Sequence, residues 1–568
     1  MFRIKFDTKS VSAIALSAII LAGCSTSSAP MSADSGAAEY ETAATESDSS
    51  DISYADSSGD LSIASAQVST GYDEAMMADE AATSTEYAGM GNINDAAYAT
   101  TFFDDYGVNP FVDTEDDNLS TFAMDVDTAS YTIARRFVRD GNMPDPASIR
   151  TEEFINYFKH DYAPPNDGAF AIHLEGAPSP FGEESHKLLR VGLQGKIIGA
   201  DERDNVALTF VVDVSGSMDQ ENRLGLAKRS LNLLVEELRP TDSVAIVVYG
   251  SDTRMVLEST MATDANKERI VNAINGLRIN GSTNAEAGLR LGYSSAWENF
   301  NEQANNRVIL VSDGVANVGR TGPDSIWEQI KQYAEKGITM TSVGVGMGNY
   351  NDVLMEQLAD NGNGNYAYVD NLDEARRIFV VGMTGTLQAI AMDAKIQVEF
   401  NAEAVRNYRL IGYENRAVAD DDFRNDDEDA GEVGAGHSVT ALYEVKLEKD
   451  VDPASDARLA TVYVRYEDPD VAEIIELNQE FGVNQLQADF ATTSPSFQLD
   501  ATVAEYAEVL KESYWAESTM ADVLQMAQTV EELYNPNMVA DAELVKAVSE
   551  FVELVDKTER MASAQAQH

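Results

Sequence analysis

The sequence predicts an α/β protein: a doubly wound, mostly parallel sheet, inserted in or flanked by a β-rich, sandwich-like domain with C-terminal helices. From Asn205 onward, strand-like and helix-like segments alternate, which is typical of a parallel sheet covered on both faces. Residues 206–212 form a continuous apolar run, as expected of a strand buried on both sides. After Met392, strand-like segments return without intervening helices, which indicates a separate antiparallel region.

Before this alternation, the chain carries shorter signals. Residues 121–126 alternate like a strand, and a helix over 130–140 should stop at Gly141. A second helix is predicted over 146–158, followed by strands at 170–174 and 188–194. These strands form too small a set for a sandwich, so we expect them to pair with the strands that follow Met392.

Within the alternating region, apolar runs and helical periodicity define the elements in order. Strands are predicted at 206–212, 243–249, 254–258 (an edge strand), 307–311, 338–345 and 365–369. Helices are predicted at 223–238, 267–277, 285–300, 324–336 and 352–359. The final region should hold strands at 395–400, 409–413, 438–446, 460–465 and 472–477, then three helices.

Composition restricts the choice of partners. The 568 residues are enough for about three domains plus additional segments. With 96 acidic and 40 basic residues, the formal charge is −56, whereas nucleic-acid-binding proteins present basic surfaces. The same acidity disfavours docking on anionic lipid headgroups through a basic face. We therefore expect no nucleic-acid partner.

The N-terminus resembles a bacterial lipoprotein signal. Three basic residues within the first nine precede an apolar run at 11–20, which is too short to span a membrane comfortably. The run leads to Leu21-Ala22-Gly23-Cys24, which holds the only cysteine of the chain. The resemblance implies removal of the preceding segment and lipidation of Cys24, and Ser25 then favours the outer membrane. The alternative is an ordinary secretory signal with a chance cysteine.

The predicted organisation has five segments. The stretch after the signal is rich in Ser, Ala and acidic residues and buries too little apolar surface to fold. The segments are a signal peptide (1–24), a disordered acidic spacer (25–105), an N-terminal domain (106–204), the α/β domain (205–385), and a C-terminal β-rich domain with terminal helices (386–568).

Three loops of the α/β domain carry the chemistry. Asp213-Val214-Ser215-Gly216-Ser217 directly follows a buried strand, and ligands bind beyond the carboxyl ends of strands in such sheets. Thr283 lies in a Gly-Ser-Thr-Asn loop, and Asp313 follows another buried strand. Asp213, Ser215, Ser217, Thr283 and Asp313 form an all-oxygen set, which selects Mg²⁺, Mn²⁺ or Ca²⁺ over zinc or copper.

These loops resemble the metal-ion-dependent adhesion site of von Willebrand factor type A (VWA) domains, a Rossmann-like fold, over residues 205–385. Segments 119–158 and 408–444 resemble the flanks of this domain in YfbK-like bacterial lipoproteins, which makes 106–204 a VWA-associated domain. The resemblance implies that Ser215, Ser217 and Thr283 bind the metal directly, and that Asp213 and Asp313 act directly or through water. It also implies that an Asp or Glu of a protein partner completes the coordination shell.

The leading functional hypothesis is a lipid-anchored envelope protein that captures a protein partner through Mg²⁺. A structural role within an envelope complex is the alternative, and a metal-dependent hydrolase is a third. The chain has no Gly-x-Ser-x-Gly elbow, no phosphate-binding loop and no His-Glu-x-x-His motif, so we expect no enzyme, no catalytic residue and no organic cofactor. The exposure of the protein to the periplasm or to the outside stays open.

Other features receive structural interpretations. The acidic stretch 420–432 lacks EF-hand spacing and is interpreted as a solvated loop rather than a Ca²⁺ site. His437 is interpreted as a structural residue. Trp297, Trp327 and Trp515 fall in helical patterns and are predicted to lie in the core.

Overall fold

The computed structural model describes residues 101–182, 185–314, 323–348, 350–426, 428, 430–536 and 539–565, without the side chains of 323–326. Cys24 and nearly all of the expected spacer lie outside these residues, so their interpretation stays a prediction. Among the described helices, none is long and apolar enough to cross a membrane.

The first elements precede the α/β domain. The helix α1 ends, as predicted, at Gly141 in a left-handed conformation with φ 88°. The helix predicted over 146–158 is instead a 3₁₀ turn followed by α2, because Arg150 between them has an extended backbone. The elements are β1 (Val112–Asp113), β2 (Leu119–Ala123), α1 (Ala129–Asp140), α2 (Thr151–Tyr157), β3 (Phe170–Pro178) and β4 (His186–Gly195).

The central elements follow in the predicted alternation. They are β5 (Asn205–Asp213), α3 (Arg223–Glu237), β6 (Ser243–Tyr249), β7 (Arg254–Met261), α4 (Asp264–Asn275), α5 (Ala285–Glu298), β8 (Ala304–Ser312), α6 (Pro323–Ala334), β9 (Ile338–Val345), α7 (Asp352–Asp360) and β10 (Tyr366–Val369). In the described part of the chain they form a six-stranded sheet in the order β10-β9-β8-β5-β6-β7. Only the edge strand β7 is antiparallel to its neighbour.

Successive side chains of this sheet point to opposite faces, as strand geometry requires. Val212 belongs to one apolar cluster together with α3, whereas Val211 belongs to another with α5 and α7. The helix α1 contributes Ile133 and Phe137 to the second cluster. The predicted doubly wound α/β class is therefore confirmed, and a helix from outside the central segment helps to cover the sheet.

The C-terminal elements begin with α8 (Leu372–Arg376), a π-helix (Arg377–Val381) and α9 (Met383–Leu387). The strands that follow are β11 (Ala389–Phe400), β12 (Val405–Ile411), β13 (Gly431–Gly434), β14 (Ser438–Leu447), β15 (Arg458–Asp468) and β16 (Glu473–Gly482). The chain then forms α10 (Pro495–Leu510), α11 (Met520–Leu533) and α12 (Ala542–Gln565).

Strands from before and after the central segment share two antiparallel sheets in the described residues. One has the order β1-β12-β14-β4-β3, and the other has the order β13-β11-β15-β16 with β2 paired to β11. Phe122 lies opposite Ile396 in the second sheet, and a common apolar core joins both sheets. The expected pairing across the α/β segment is confirmed. A second core packs α10, α11 and α12 against α1, α2 and the first sheet.

Three further predictions are wrong. Trp515 lies in a turn after α10 and is half-buried, rather than in a helix of the core. Trp297 is 48% exposed rather than part of the core, and it lies beside Lys336 in a cation–π contact on the surface. The acidic stretch 420–432 is not a simple solvated loop. Residues Asp420–Arg424 form a 3₁₀ helix with Phe423 buried, and the Thr121 hydroxyl donates to Asp420 at 2.5 Å.

Candidate metal centre

The predicted metal residues converge at one edge of the central sheet. β5 and β8 are parallel neighbours, with Val212 opposite Val311, so their carboxyl ends lie side by side. β5 ends at Asp213, and Asp313 directly follows β8. The topology thus brings together two carboxylates that are far apart in sequence, as the position of the motifs predicted.

Asp213 lies at the base of the site with no exposed surface. One of its oxygens accepts the Ser215 backbone N–H at 2.8 Å, and the other accepts the Ser312 hydroxyl at 3.0 Å. Burial raises the pKa of Asp213 to about 6, and the nearby Asp313 charge adds to that rise, while the Ser215 and Ser312 hydrogen bonds oppose it. The fold therefore buries a carboxylate whose charged form a nearby cation would stabilise.

Two serines connect the two carboxylates. The Ser215 and Ser217 hydroxyl oxygens are 3.0 Å apart. Ser217 Oγ donates to Asp313 Oδ1 at 3.0 Å. Ser215 and Asp313 are almost fully buried, whereas Ser217 is half-buried. Four of the five predicted residues are thus joined by a series of hydrogen bonds.

The fifth residue, Thr283, is placed differently. Its loop is tied to the serine loop by backbone hydrogen bonds, from Gly216 N–H to the Gly281 carbonyl at 2.7 Å and from Asn280 N–H to the Val214 carbonyl at 2.6 Å. Gly281 has φ 68°, a conformation that favours glycine. Within the described residues, no hydrogen bond joins the half-buried Thr283 side chain to the other four. The structure brings its loop to the site, and its role as a ligand stays a prediction.

Arg223 belongs to this site and was missed by the sequence analysis. Its guanidinium is buried, donates from Nη1 to Asp313 Oδ2 at 2.7 Å, and donates from Nη2 to the Met347 carbonyl. Arg223 is the first residue of α3. A positive charge is unfavourable at a helix N-terminus, where the helix dipole is itself positive. The position of Arg223 at the start of α3 was therefore a local signal that another group compensates its charge.

The donor set suits a hard divalent cation. It consists of carboxylate and hydroxyl oxygens without nitrogen or sulfur, which matches Mg²⁺ or Mn²⁺ better than zinc or copper. Among the described residues, no group of three or more His, Cys, Asp or Glu side chains is placed to hold a metal. Here two carboxylates are supplemented by hydroxyls, so the residues present fit a magnesium ion that keeps part of its water shell.

Sequence comparisons agree with this architecture. A family model described as von Willebrand factor type A domain matches residues 207–380, and one described as uncharacterized protein YfbK, C-terminal, matches 385–561. A model described as von Willebrand factor matches 97–190. The chain is 41% identical over 353 residues to uncharacterized protein YfbK of Escherichia coli, covering 61% of this chain and 60% of that protein.

More distant relatives share a smaller part. The chain is 26% identical over 204 residues to uncharacterized protein sll0103 of Synechocystis, covering 36% of this chain and 46% of that protein. It is 24% identical over 274 residues to inter-alpha-trypsin inhibitor heavy chain H3 of Mesocricetus auratus, covering 44% of this chain and 29% of that protein. The chain thus spans less than two thirds of these relatives. A solved von Willebrand factor type A structure from Catenulispora acidiphila is 15% identical, with 71% and 91% of the two chains covered and a TM-score of 0.40.

Proposed function

We propose that this chain, whose residues 207–380 match the von Willebrand factor type A domain and whose residues 385–561 match the YfbK C-terminal domain, binds a protein partner through a divalent metal ion. The observation that carries this proposal is the hydrogen-bonded set of Asp213, Ser215, Ser217 and Asp313 at the carboxyl edge of the central sheet. VWA domains mediate protein interactions, and the oxygen-only donor set suits Mg²⁺.

In this proposal the Ser215 and Ser217 hydroxyls and the Thr283 hydroxyl hold the ion, while Asp213 and Asp313 balance its charge directly or through water. The ion supplies an electrophilic position that a carboxylate of the partner completes. Neutral hydroxyls suit this role because they leave the positive charge of the ion available to the partner.

The net charge of −56 does not prevent an acidic ligand. Charges on the surface are screened beyond about 8 Å at physiological salt, whereas the metal acts at contact distance. Partner binding should therefore require the ion itself.

We also propose that Cys24 carries a lipid and holds the protein in the cell envelope, at the outer membrane. The support is the signal-like N-terminus. In cells, Cys24→Ser should give a longer precursor without lipid that leaves the membrane fraction. Maturation and fractionation like those of the unsubstituted chain would contradict the anchor and leave the metal site unaffected.

The metal proposal is tested by calorimetric titration of the full chain with Mg²⁺. Asp213→Asn should weaken Mg²⁺ binding about tenfold or more, because it removes a charged ligand. Asp264→Asn is the matched control, because it also removes one carboxylate, but an exposed one at the other end of the parallel strands. Asp264 closely follows Met261, which pairs with Ser243 at the start of β6. The control should bind Mg²⁺ like the unsubstituted chain.

Partner capture by crosslinking in intact cells, with and without EDTA, tests the second half of the proposal. Capture should be lost with EDTA and with Asp213→Asn, and retained with Asp264→Asn. Equal capture in all four conditions would refute metal-dependent binding while leaving the fold assignment intact.

A further inference from the structure

A buried arginine already pairs with one of the two carboxylates of the candidate metal site. Arg223 is 4% exposed, and its guanidinium bridges Asp313 and the Met347 carbonyl. The backbone of the loop after β9 lies against it: a Cβ added to Gly346 would lie 2.2 Å from Arg223 Nε. This close contact fixes the guanidinium beside the candidate metal site.

Both oxygens of Asp313 are therefore engaged. Oδ1 accepts the Ser217 hydroxyl at 3.0 Å, and Oδ2 accepts Arg223 Nη1 at 2.7 Å. Ser217 can ligate a metal and still donate its proton to Oδ1, because its lone pairs remain available. A metal bound directly to Oδ2 would use its second lone pair, and it would then lie beside the guanidinium and be repelled by that positive charge.

The arginine itself is incompletely satisfied. Among the described residues, the buried Arg223 Nε has no hydrogen-bond acceptor. The pair with Asp313 is thus the main compensation for burying this charge. A divalent ion next to Asp313 must either remove that compensation or accept repulsion from the guanidinium, which is weakly screened in a buried position.

We propose that Arg223 is an internal cation that competes with the divalent metal for Asp313. By holding Oδ2, it keeps Asp313 in a water-mediated role and leaves a coordination position for the carboxylate of the partner. This inference rests on the proposed metal site. Arg223 is a positioning residue, and it lowers the affinity of the site for the free ion.

The alternative is that Arg223 only supports the shape of the loop. The two possibilities predict opposite signs. If Arg223 competes, removing its charge strengthens Mg²⁺ binding, whereas if it only orients Asp313, removing it weakens binding. Arg223→Lys keeps the positive charge but replaces the planar guanidinium with a compact ammonium group. It therefore distinguishes an effect of charge on Mg²⁺ binding from an effect of side-chain shape.

The experiment is a calorimetric Mg²⁺ titration of the full chain with Arg223→Gln, Arg223→Lys and the control Arg254→Gln, which removes a half-exposed arginine from the start of β7. Arg223→Gln should bind Mg²⁺ at least about tenfold more tightly than the unsubstituted chain. Arg223→Lys and Arg254→Gln should bind within about threefold of it. Equal or weaker binding by a folded Arg223→Gln variant overturns the proposal.

Thermal unfolding gives an independent measurement. Without Mg²⁺, Arg223→Gln should melt at a lower temperature, because Asp313 loses its counter-ion. Excess Mg²⁺ should raise its melting temperature more than that of the unsubstituted chain, since the ion replaces the lost charge.

If Arg223→Gln does not fold without metal, Mg²⁺ should restore cooperative melting, and failure to do so contradicts competition. If the unsubstituted chain binds no Mg²⁺, the proposed function itself is refuted. If it binds Mg²⁺ and Arg223→Gln binds no more tightly, only the competition is refuted.

Discussion

Arg135→Gln should strongly destabilise the protein. Arg135 of α1 donates to both oxygens of Asp370, from Nη2 at 2.6 Å and from Nε at 2.9 Å, and also to Glu374 at 2.9 Å. The side chains of all three are at most 3% exposed. Glu374 keeps Arg377. Among the described residues, Asp370 would keep the neutral Asn371 amide at 2.9 Å, and its one remaining cation would be the more exposed Arg139 at 3.4 Å.

The magnitude follows from this burial. Removing one partner of a buried ion pair costs about 3–5 kcal/mol of unfolding free energy, because the remaining charge stays buried. Arg136→Gln is the matched control, since the adjacent arginine pairs with Asp140 and Glu221 at partly exposed positions. Such pairs contribute about 0–1 kcal/mol.

The pH dependence gives a second check. Burial raises the pKa of Asp370, and Arg135 opposes that rise. In Arg135→Gln the pKa of Asp370 in the folded state rises further above its unfolded value, so stability is lost as pH increases. The cost of the substitution should therefore be larger at pH 8 than at pH 5. Urea unfolding at both values measures it, and equal small costs for Arg135→Gln and Arg136→Gln would refute the reasoning.

Three further substitutions test other parts of the structure. Gly346→Ala should lower the free energy of unfolding by about 1–3 kcal/mol, because φ is +80° and the new methyl group would collide with Arg223. Thermal unfolding measures this loss, and an unchanged melting temperature would contradict the contact. Burial lowers the pKa of His437 to about 4, so the unfolded chain binds a proton more readily than the folded one between pH 8 and 5. The free energy of unfolding should therefore fall by about 2 kcal/mol over that range. His437→Gln should remove this part of the pH dependence, as measured by urea unfolding. Phe122→Ala should cost about 3–5 kcal/mol in urea unfolding, since Phe122 is fully buried against Tyr413; a cost below about 1 kcal/mol would show that β2 is not integral to the sheet.

The elements with strong periodicity were predictable from sequence. The strands at 243–249 and 338–345 have the predicted bounds, because both are apolar runs that turn signals delimit. The two carboxylates of the candidate site were predictable because each directly follows such a strand. Bounds were wrong where a strand continues past its apolar part: β16 extends to Gly482, although most of its residues are exposed.

The contacts between distant segments were not predictable. Arg223 pairs with Asp313 ninety residues away, and nothing local identifies its partner. Trp297 lies in a helical pattern like that of a core residue, yet α5 turns it toward solvent. The short helix at 420–424 contacts a strand far away in the chain, since Thr121 of β2 donates to Asp420.

The helix α1 shows how these distant contacts hold the molecule together. Arg135 pairs with the carboxylates that follow β10, Arg136 pairs with Glu221 between the serine loop and α3 at 3.1 Å, and Arg139 pairs with Glu550 of α12 at 3.0 Å. One helix thus contacts the α/β domain at two places and the terminal helices at a third. Because α1 also packs its apolar residues on the central sheet, the α/β domain is fixed to the body by a lateral contact and not only by its two chain ends.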